Sequence, residues 1–209
     1  MQTGLNAVNV YMHRLMDIVK ALGDFPMTAN TATVICGVTD FCGGVIAIFL
    51  MHKFGRKSML IFGHAMMGLM ELGAGTFFQA NLPVFMYLCL NGFILSFSMT
   101  SGPVTWLYIS ECTVDTATGL VVLGLYTSCM QQVLSMEFLM GSENFGLAGT
   151  FYLFGFENLL CVIFLILFVK ETRGHTDAEK KMLYVSKETQ EKYGKQTNSD
   201  AAKVVPEDK

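Results

Sequence analysis

The residues with chemical potential fall in a few places. The most prominent is the stretch Ser101-Gly102-Pro103-Val104-Thr105-Trp106-Leu107-Tyr108-Ile109-Ser110-Glu111. It holds the only Trp of the chain and closes on a carboxylate. Gly102-Pro103 interrupts the hydrogen-bond ladder of any helix that contains it, and neighbouring helices or water must repair the loss. Asp40 is the second place, set between Gly37 and Gly43-Gly44 inside an apolar run. A carboxylate at the centre of a membrane helix costs about 2.5–3.5 kcal/mol on insertion scales. Such a residue is expected to face a cavity and to carry function, and its small neighbours leave room for water or a ligand. The competing reading is an Asp bonded to a neighbouring helix that never titrates. His64 and Glu71 stand seven residues apart, on one helix face, and read as a structural pair facing a bundle rather than as a proton relay. Gln131 and Gln132 fit a cavity lining and an interhelical hydrogen bond equally well. No nucleophile–base pair, phosphate loop or metal-ligand spacing occurs, so the sequence points to no enzyme, no cofactor and no metal. Nothing points to nucleic acid.

These side chains must be positioned by elements of a particular kind. The chain has 209 residues, 52% hydrophobic and only 15% charged, with 17 Phe and 15 Met. A soluble domain carries about 25% charge. No Lys or Arg occurs between Lys57 and Lys170, a stretch that a water-facing surface would not tolerate but lipid-facing helices do. The pattern specifies an all-α, polytopic membrane protein. Six Cys are scattered without C-x-x-C or metal spacing and read as small apolar residues. No basic signal-peptide start follows Met1.

The sequence predicts six spans: 2–22, 28–51, 58–79, 84–111, 118–140 and 150–169. The first is the weakest: His13, Arg14, Asp17 and Lys20 interrupt its second half, and it reads as a short helix into the membrane followed by a kinked, partly exposed half. Six spans place both ends on one side. The basic loop 52–57 and the Lys-rich tail share that side, which is therefore expected to be cytoplasmic. Residues 1–174 form the membrane domain. Residues 175–209 form a cytoplasmic helix, opened by the capping box Thr176-Asp177-Ala178-Glu179, followed by a polar tail with the composition of disorder.

Motifs now stand in register. Thr3-Gly4-Leu5-Asn6 opens the first span, and Gly55-Arg56-Lys57 joins the second and third. Gly102-Pro103-x-x-Trp106 with Glu111 closes the fourth, and Lys170-Glu171-Thr172-Arg173-Gly174 follows the sixth. Together they resemble the C-terminal half, helices seven to twelve, of a sugar porter of the major facilitator superfamily. That family carries Q-Q-x-[ST]-G-x-N, G-R-[RK], G-P-x-x-W-x-x-x-x-E and P-E-T-K-G in this order. The departures are Met1 and Gln2 in the first motif, His52 for an acid, Thr118 for an Arg, Lys170 for a Pro, Ser98 for an acid and Asp40 for an Asn.

The resemblance implies transport of a hexose or related small polyol by alternating access. The substrate site would comprise Gln2, Asn6, Asp40, Gly102, Pro103 and Trp106. Trp106 offers a face to a pyranose and an N–H to a hydroxyl, and Asn6 offers donor and acceptor together. A protonated Asp40 would bond a sugar hydroxyl as the family's Asn does, which makes Asp40 the proton-coupling candidate. Arg56, Lys57, Glu111, Glu171 and Arg173 would form a cytoplasmic gating cluster. Each position also has a plainer reading: Trp106 as an interfacial belt residue, Asn6 as helix–helix glue, Arg56 and Lys57 as a topology signal, Glu111 as a solvated helix end. Half a transporter lacks the other wall of its cleft. The chain is thus read as a fragment, as a half that pairs with an N-terminal half or a second copy, or as a non-transporting membrane scaffold. The membrane is either the plasma membrane or an internal one. The topology has a direct check: a Cys placed at position 55 on a Cys-free background is expected to react with an impermeant reagent only from the cytoplasmic side, and labelling only from outside reverses the assignment.

Overall fold

The computed structural model describes residues 3–113, 115–141 and 145–185. Every regular element among them is helical. Two short helices come first, α1 (Leu5–Val10) and α2 (Met12–Ala21), separated by a bend at Tyr11 with φ −97° and ψ 11°. Next come α3 (Ala29–Lys53), α4 (Arg56–Gln79) and α5 (Pro83–Ser96). A π-helical turn (Phe97–Ser101) joins α5 directly to α6 (Gly102–Cys112). The last three are α7 (Asp115–Met140), α8 (Gly146–Phe168) and α9 (Asp177–Met182).

Five helices among the described residues are long and apolar enough to cross a membrane: Ala29–Lys53, Arg56–Gln79, Pro83–Cys112, Ala117–Met140 and Gly146–Phe168. The first expected span is different. Met12, Leu15, Met16 and Val19 of α2 are buried, while His13, Arg14, Asp17 and Lys20 are exposed. Titratable side chains recurring along one face make α2 an amphipathic helix rather than a uniformly apolar rod. The cytoplasmic helix expected from the capping box to about Lys192 is described as α9, to Met182. Gln2 and the expected disordered tail lie outside the described residues.

Each boundary has a local cause. Thr28 caps α3, its hydroxyl accepting from the Thr31 amide at 3.2 Å. Asn81 adopts a left-handed φ of 54° between α4 and α5, and Pro83 takes the first helical position of α5, where a missing N–H is harmless. Pro103 lies inside the thirty-residue helical run Pro83–Cys112. It cannot donate to the carbonyl of Met99, and the ring crowds that carbonyl. The π turn immediately before it absorbs the mismatch. Side-chain hydroxyls bond nearby carbonyls: Thr100 to Ser96 at 2.5 Å and Thr105 to Ser101 at 2.6 Å. The expected broken helix is therefore a continuous one with a bulge.

Helix α4 is the axis of the bundle, with Met59, Leu60, Met67 and Ala74 buried along it. It meets α8 at contact distances that only glycine permits. A Cβ on Gly155 would stand 2.9 Å from Leu72 and 3.2 Å from the Gly68 carbonyl, and one on Gly68 would stand 3.0 Å from the Gly155 carbonyl. Small residues at such crossings let backbones approach where water cannot drive association. By contrast α3 and α7 leave large apolar side chains outside, among them Phe41, Phe49, Leu120, Leu134 and Phe138, as lipid-facing helices do. Gly155→Val is expected to destabilise the bundle by about 1–3 kcal/mol through overpacking, read as a lower unfolding midpoint in detergent. Gly37→Ala, with nothing within 4 Å of the new Cβ, is expected to be neutral or slightly stabilising.

Candidate functional site

A cleft of about 480 Å³ opens on one side of the bundle. It is bordered by Asn6 of α1, Asp40 of α3, Ser98 of the π turn, Gly102, Pro103 and Trp106 of α6, and Tyr126 and Cys129 of α7. The cleft thus gathers Asn6, Asp40, Gly102, Pro103 and Trp106, five of the six residues singled out from the sequence. Asn6 Nδ2 donates to Cys129 Sγ at 2.9 Å, which ties α1 to α7. The hydroxyl of Ser98 donates to Asp40 Oδ1. That contact needs α3 and the π turn to lie close. Gly43 allows it, since a Cβ there would be 2.7 Å from Ser98 Cβ. Trp106 is 44% exposed. An indole face, an amide and a carboxylate sharing one apolar-walled hollow suit a neutral ligand rich in hydroxyls. Ser98 stood out in the sequence only as a departure from a family pattern. Tyr126 and Cys129 were not singled out, although their spacing of three marks one helix face.

The ends of α3, α4, α6 and α8 meet in a second constellation. Glu111 accepts from Arg56 Nη2 at 3.0 Å, from Lys180 Nζ at 3.2 Å and from the Thr172 hydroxyl at 2.6 Å. Among the described residues, Glu171 pairs with no cation. Its carboxylate lies across the start of α4, accepting from the amides of Arg56 at 2.8 Å and Lys57 at 3.2 Å. Anionic groups are stabilised there by unpaired amides and the helix dipole. Arg173 does the converse for α3, donating to the carbonyls of Lys53 and His52 near its end. The segment Glu171-Thr172-Arg173 thereby clamps both sides of the turn at Phe54-Gly55. A side chain at Gly55 would collide with Glu171.

Lys57 departs from expectation. Its Nζ donates to the Ile166 carbonyl at 2.8 Å, in the last turn of α8, where a cation complements the helix terminus. Its place beside Glu111 is taken by Lys180 of α9, which sequence reading missed. The capping box at Thr176 was legible, and Lys180 lies one residue past its Glu179. Both halves of that box form, Glu179 accepting from the Thr176 amide at 2.8 Å and hydroxyl at 2.9 Å. These bonds, the amide's first, hold the Glu179 carboxyl below its ordinary range. The contribution is present above the ordinary glutamate range and is lost as pH falls through the folded value. Lys180 is raised, by Asp177 first and then by Glu111, so its bonds persist below the ordinary lysine range and are lost as pH rises through the folded value. Thr118, at the position of the family's Arg, instead shares a 2.6 Å hydroxyl contact with Thr113.

His64 and Glu71 are both buried, as expected of residues facing the bundle, but each bonds elsewhere. His64 Nδ1 lies 2.9 Å from the Leu60 carbonyl and 3.1 Å from the Ser101 hydroxyl. Glu71 Oε2 accepts from Asn158 Nδ2 at 2.7 Å. Among the described residues, no group of His, Cys, Asp and Glu has the arrangement of a metal site.

Comparison with known proteins gives a consistent result. The family model described as "Sugar (and other) transporter" matches residues 1–183. The chain is 30% identical over 190 residues to the arabinose-proton symporter of Bacillus subtilis (strain 168), covering 87% of this chain and 39% of that protein. It is 29% identical over 186 residues to the D-xylose-proton symporter of Escherichia coli (strain K12), covering 85% and 38%. It is 33% identical over 195 residues to the facilitated trehalose transporter Tret1 of Drosophila yakuba, covering 87% and 22%. The chain thus spans about two fifths, or less, of the length of these relatives. Among solved structures, the major facilitator superfamily proton:xylose symporter XylE bound to 6-bromo-6-deoxy-D-glucose matches with a TM-score of 0.72 at 26% identity, over 88% of this chain and 40% of that one. The inward open conformation of the xylose transporter XylE from E. coli matches with a TM-score of 0.60 at 26% identity, over 85% and 42%.

The charge cluster can be tested as a unit. Glu111 and Arg56 side chains are 9% and 19% exposed, so removing one partner strands a largely buried charge. Glu111→Gln and Arg56→Gln are each expected to lower stability in detergent. A double-mutant cycle should return a coupling of about 1–3 kcal/mol, whereas additive losses would exclude a shared interaction.

Proposed function

We propose, from the premise that the chain belongs to the sugar (and other) transporter family, that it forms the C-terminal, six-span half of a transporter. Its cargo is a hexose or related small polyol, moved by alternating access. Members of this family are transporters rather than enzymes. The observation that carries the reading is the convergence of Asn6, Asp40, Gly102, Pro103 and Trp106 on one cleft, where the polar groups suit hydroxyls and the indole suits a sugar ring. In transporters built from repeats the substrate lies at the interface between two halves. The opposing wall then comes from a second half, in the same polypeptide, in a separate N-terminal half or in a second copy of this chain. In this reading α1 and α2 together complete the six spans. Both ends and residues 52–57 face the cytoplasm, in the plasma membrane or an internal one.

The same reading gives the charge cluster a role. Arg56, Glu111, Lys180 and the Glu171–Arg173 segment hold the cytoplasmic ends of α3, α4, α6 and α9 together, and loosening them biases the conformational cycle. Two of the matched relatives are proton symporters by name, which supports proton coupling here. Asp40 is its candidate in the cleft, with Ser98 as the hydroxyl it engages.

Uptake of a labelled hexose provides the test, with the chain reconstituted alone and together with an N-terminal half. Trp106→Ala and Asn6→Ala are each expected to weaken sugar binding about tenfold, a change of about 1.4 kcal/mol. Because Trp106 is the only Trp, binding should also change the intrinsic emission saturably. Asp40→Asn is expected to exchange sugar while losing the pH dependence of uptake. Identical pH profiles would make the protein a uniporter. No sugar-dependent emission or uptake in either arrangement would leave the scaffold reading standing.

A further inference from the structure

Helix α4 carries a carboxylic acid that neither the cleft nor the charge cluster uses. Glu71 is 1% exposed, near the middle of the bundle axis. Its Oε2 accepts a 2.7 Å hydrogen bond from Asn158 Nδ2 of α8. The same amide also lies 3.2 Å from the Phe154 carbonyl and 3.3 Å from the Thr3 carbonyl. The second oxygen of Glu71, Oε1, is buried without a hydrogen-bond partner, and so is Asn158 Oδ1. The two side chains are already joined by one bond, and each is left with one acceptor and no donor to fill it.

An ionised carboxylate only accepts, whereas a protonated one also donates. Placed on Oε1, a single proton satisfies both orphans, because Oε1–H can donate to Asn158 Oδ1 while Asn158 Nδ2 donates to Oε2. Charge points the same way. A buried carboxylate is sustained by a countercharge or by several donors, and no Lys or Arg occurs between Lys57 and Lys170. The titratable neighbours do not replace one. Glu157 of α8 adjoins Asn158, has the same sign, and its own Oε2 is buried and unpartnered. His64 is seven residues away on α4, about 10 Å along the axis, and is engaged by Leu60 and Ser101. Thr3, Gly4 and Phe154 are uncharged.

We propose that Glu71 is a proton-binding site: it holds a proton shared with Asn158 in a two-bond acid–amide ring that locks α4 to α8 beneath the turn at Thr3-Gly4. Gly4 has a φ of 77°, and a Cβ there would stand 2.8 Å from Glu71 Oε1. That turn leads within two residues to Asn6 in the cleft. Loss of the proton breaks the Oε1–H bond to Asn158 and leaves a negative charge under the turn, so proton occupancy and the seating of α1 are linked. A crevice of about 240 Å³ between α7 and α8 is bordered by Gln131, Gln132, Ser135 and Glu157, the last adjoining Asn158 in sequence. Gln132 is buried there with neither side-chain polar atom partnered.

The inference stands or falls apart from the sugar reading, because its readout is proton occupancy rather than transport. Infrared spectra of the full chain in lipid nanodiscs should show, at neutral pH, a protonated-carboxyl band that disappears in Glu71→Gln. Gln keeps the ring, as an amide–amide pair, without a titrating group. A second measurement uses thermal unfolding against pH. An acid that binds its proton more tightly folded than unfolded makes stability fall as pH rises. The wild type's midpoint should therefore drop from mildly acidic to mildly alkaline pH more than that of Glu71→Gln. Asn158→Leu, which removes the ring partner, should lower the midpoint and shift the band. An unchanged band in Glu71→Gln, or midpoints that run parallel across pH, would overturn the proposal.

Discussion

Pro103 has no amide hydrogen, and it stands inside a continuous, apolar helical run of thirty residues, Pro83–Cys112. The chain responds with one π turn, Phe97–Ser101, rather than with a break. The extra residue in that turn changes which side chains face which neighbour. It sets Ser98 against Asp40 of α3 and keeps Thr100 and Ser101 facing α4. It passes the helix on to Trp106 and Glu111 without losing direction. The wall of the cleft and the anchor of the charge cluster are therefore two ends of one helix. Their relation is set by how the backbone accommodates one missing donor.

Away from the cleft, the bundle resolves the same difficulty at its helix ends. Apolar surroundings make unpaired amides and carbonyls costly. The segment after α8 answers for α3 and α4 together. Glu171 supplies acceptors to the start of one, and Arg173 supplies donors near the end of the other. Thr172, between them, bonds Glu111. Three consecutive residues thus join the ends of α3, α4 and α6, and α9 closes over them through Lys180. A cluster that resembles a set of ion pairs is, for the most part, helix capping. Among the described residues of the cluster, the direct ion pairs are Glu111 with Arg56 and with Lys180, and Lys180 with Asp177.

Packing is uneven in a way that fits the proposed role. Helix α4 is enclosed, crossing α8 through Gly68 and Gly155, while α3 and α7 contribute few buried residues and present large apolar side chains outward. At the cleft α1 meets α7 through Asn6 and Cys129, and α3 meets the π turn through Asp40 and Ser98. Such contacts hold a geometry at little cost to change. The buried Glu71–Asn158 pair lies between α4 and α8, under the turn that leads to Asn6.

Sequence alone was sufficient for the class of the molecule and the places of its long helices. Hydropathy, the absence of basic residues over more than half the chain and the Gly-Pro, Gly-Arg-Lys and capping-box motifs are local signals, and each describes its own segment. They placed five long helices and the start of α9 at Thr176, while the five residues that border the cleft were grouped only by the resemblance to sugar porters. They marked the first span as a short helix followed by a kinked, partly exposed half, and the bend falls at Tyr11 between α1 and α2. They paired His64 with Glu71 by helix periodicity, whereas hydrogen-bond choice depends on which helix lies opposite. They set Lys57 beside Glu111 by charge, although the end of α8 lay nearer. Cys129 meets Asn6, Lys180 meets Glu111 and Asn158 meets Glu71 only when distant segments come together. Tertiary structure decided these matters because a hydrogen bond or a glycine contact requires two surfaces, and a sequence pattern describes one.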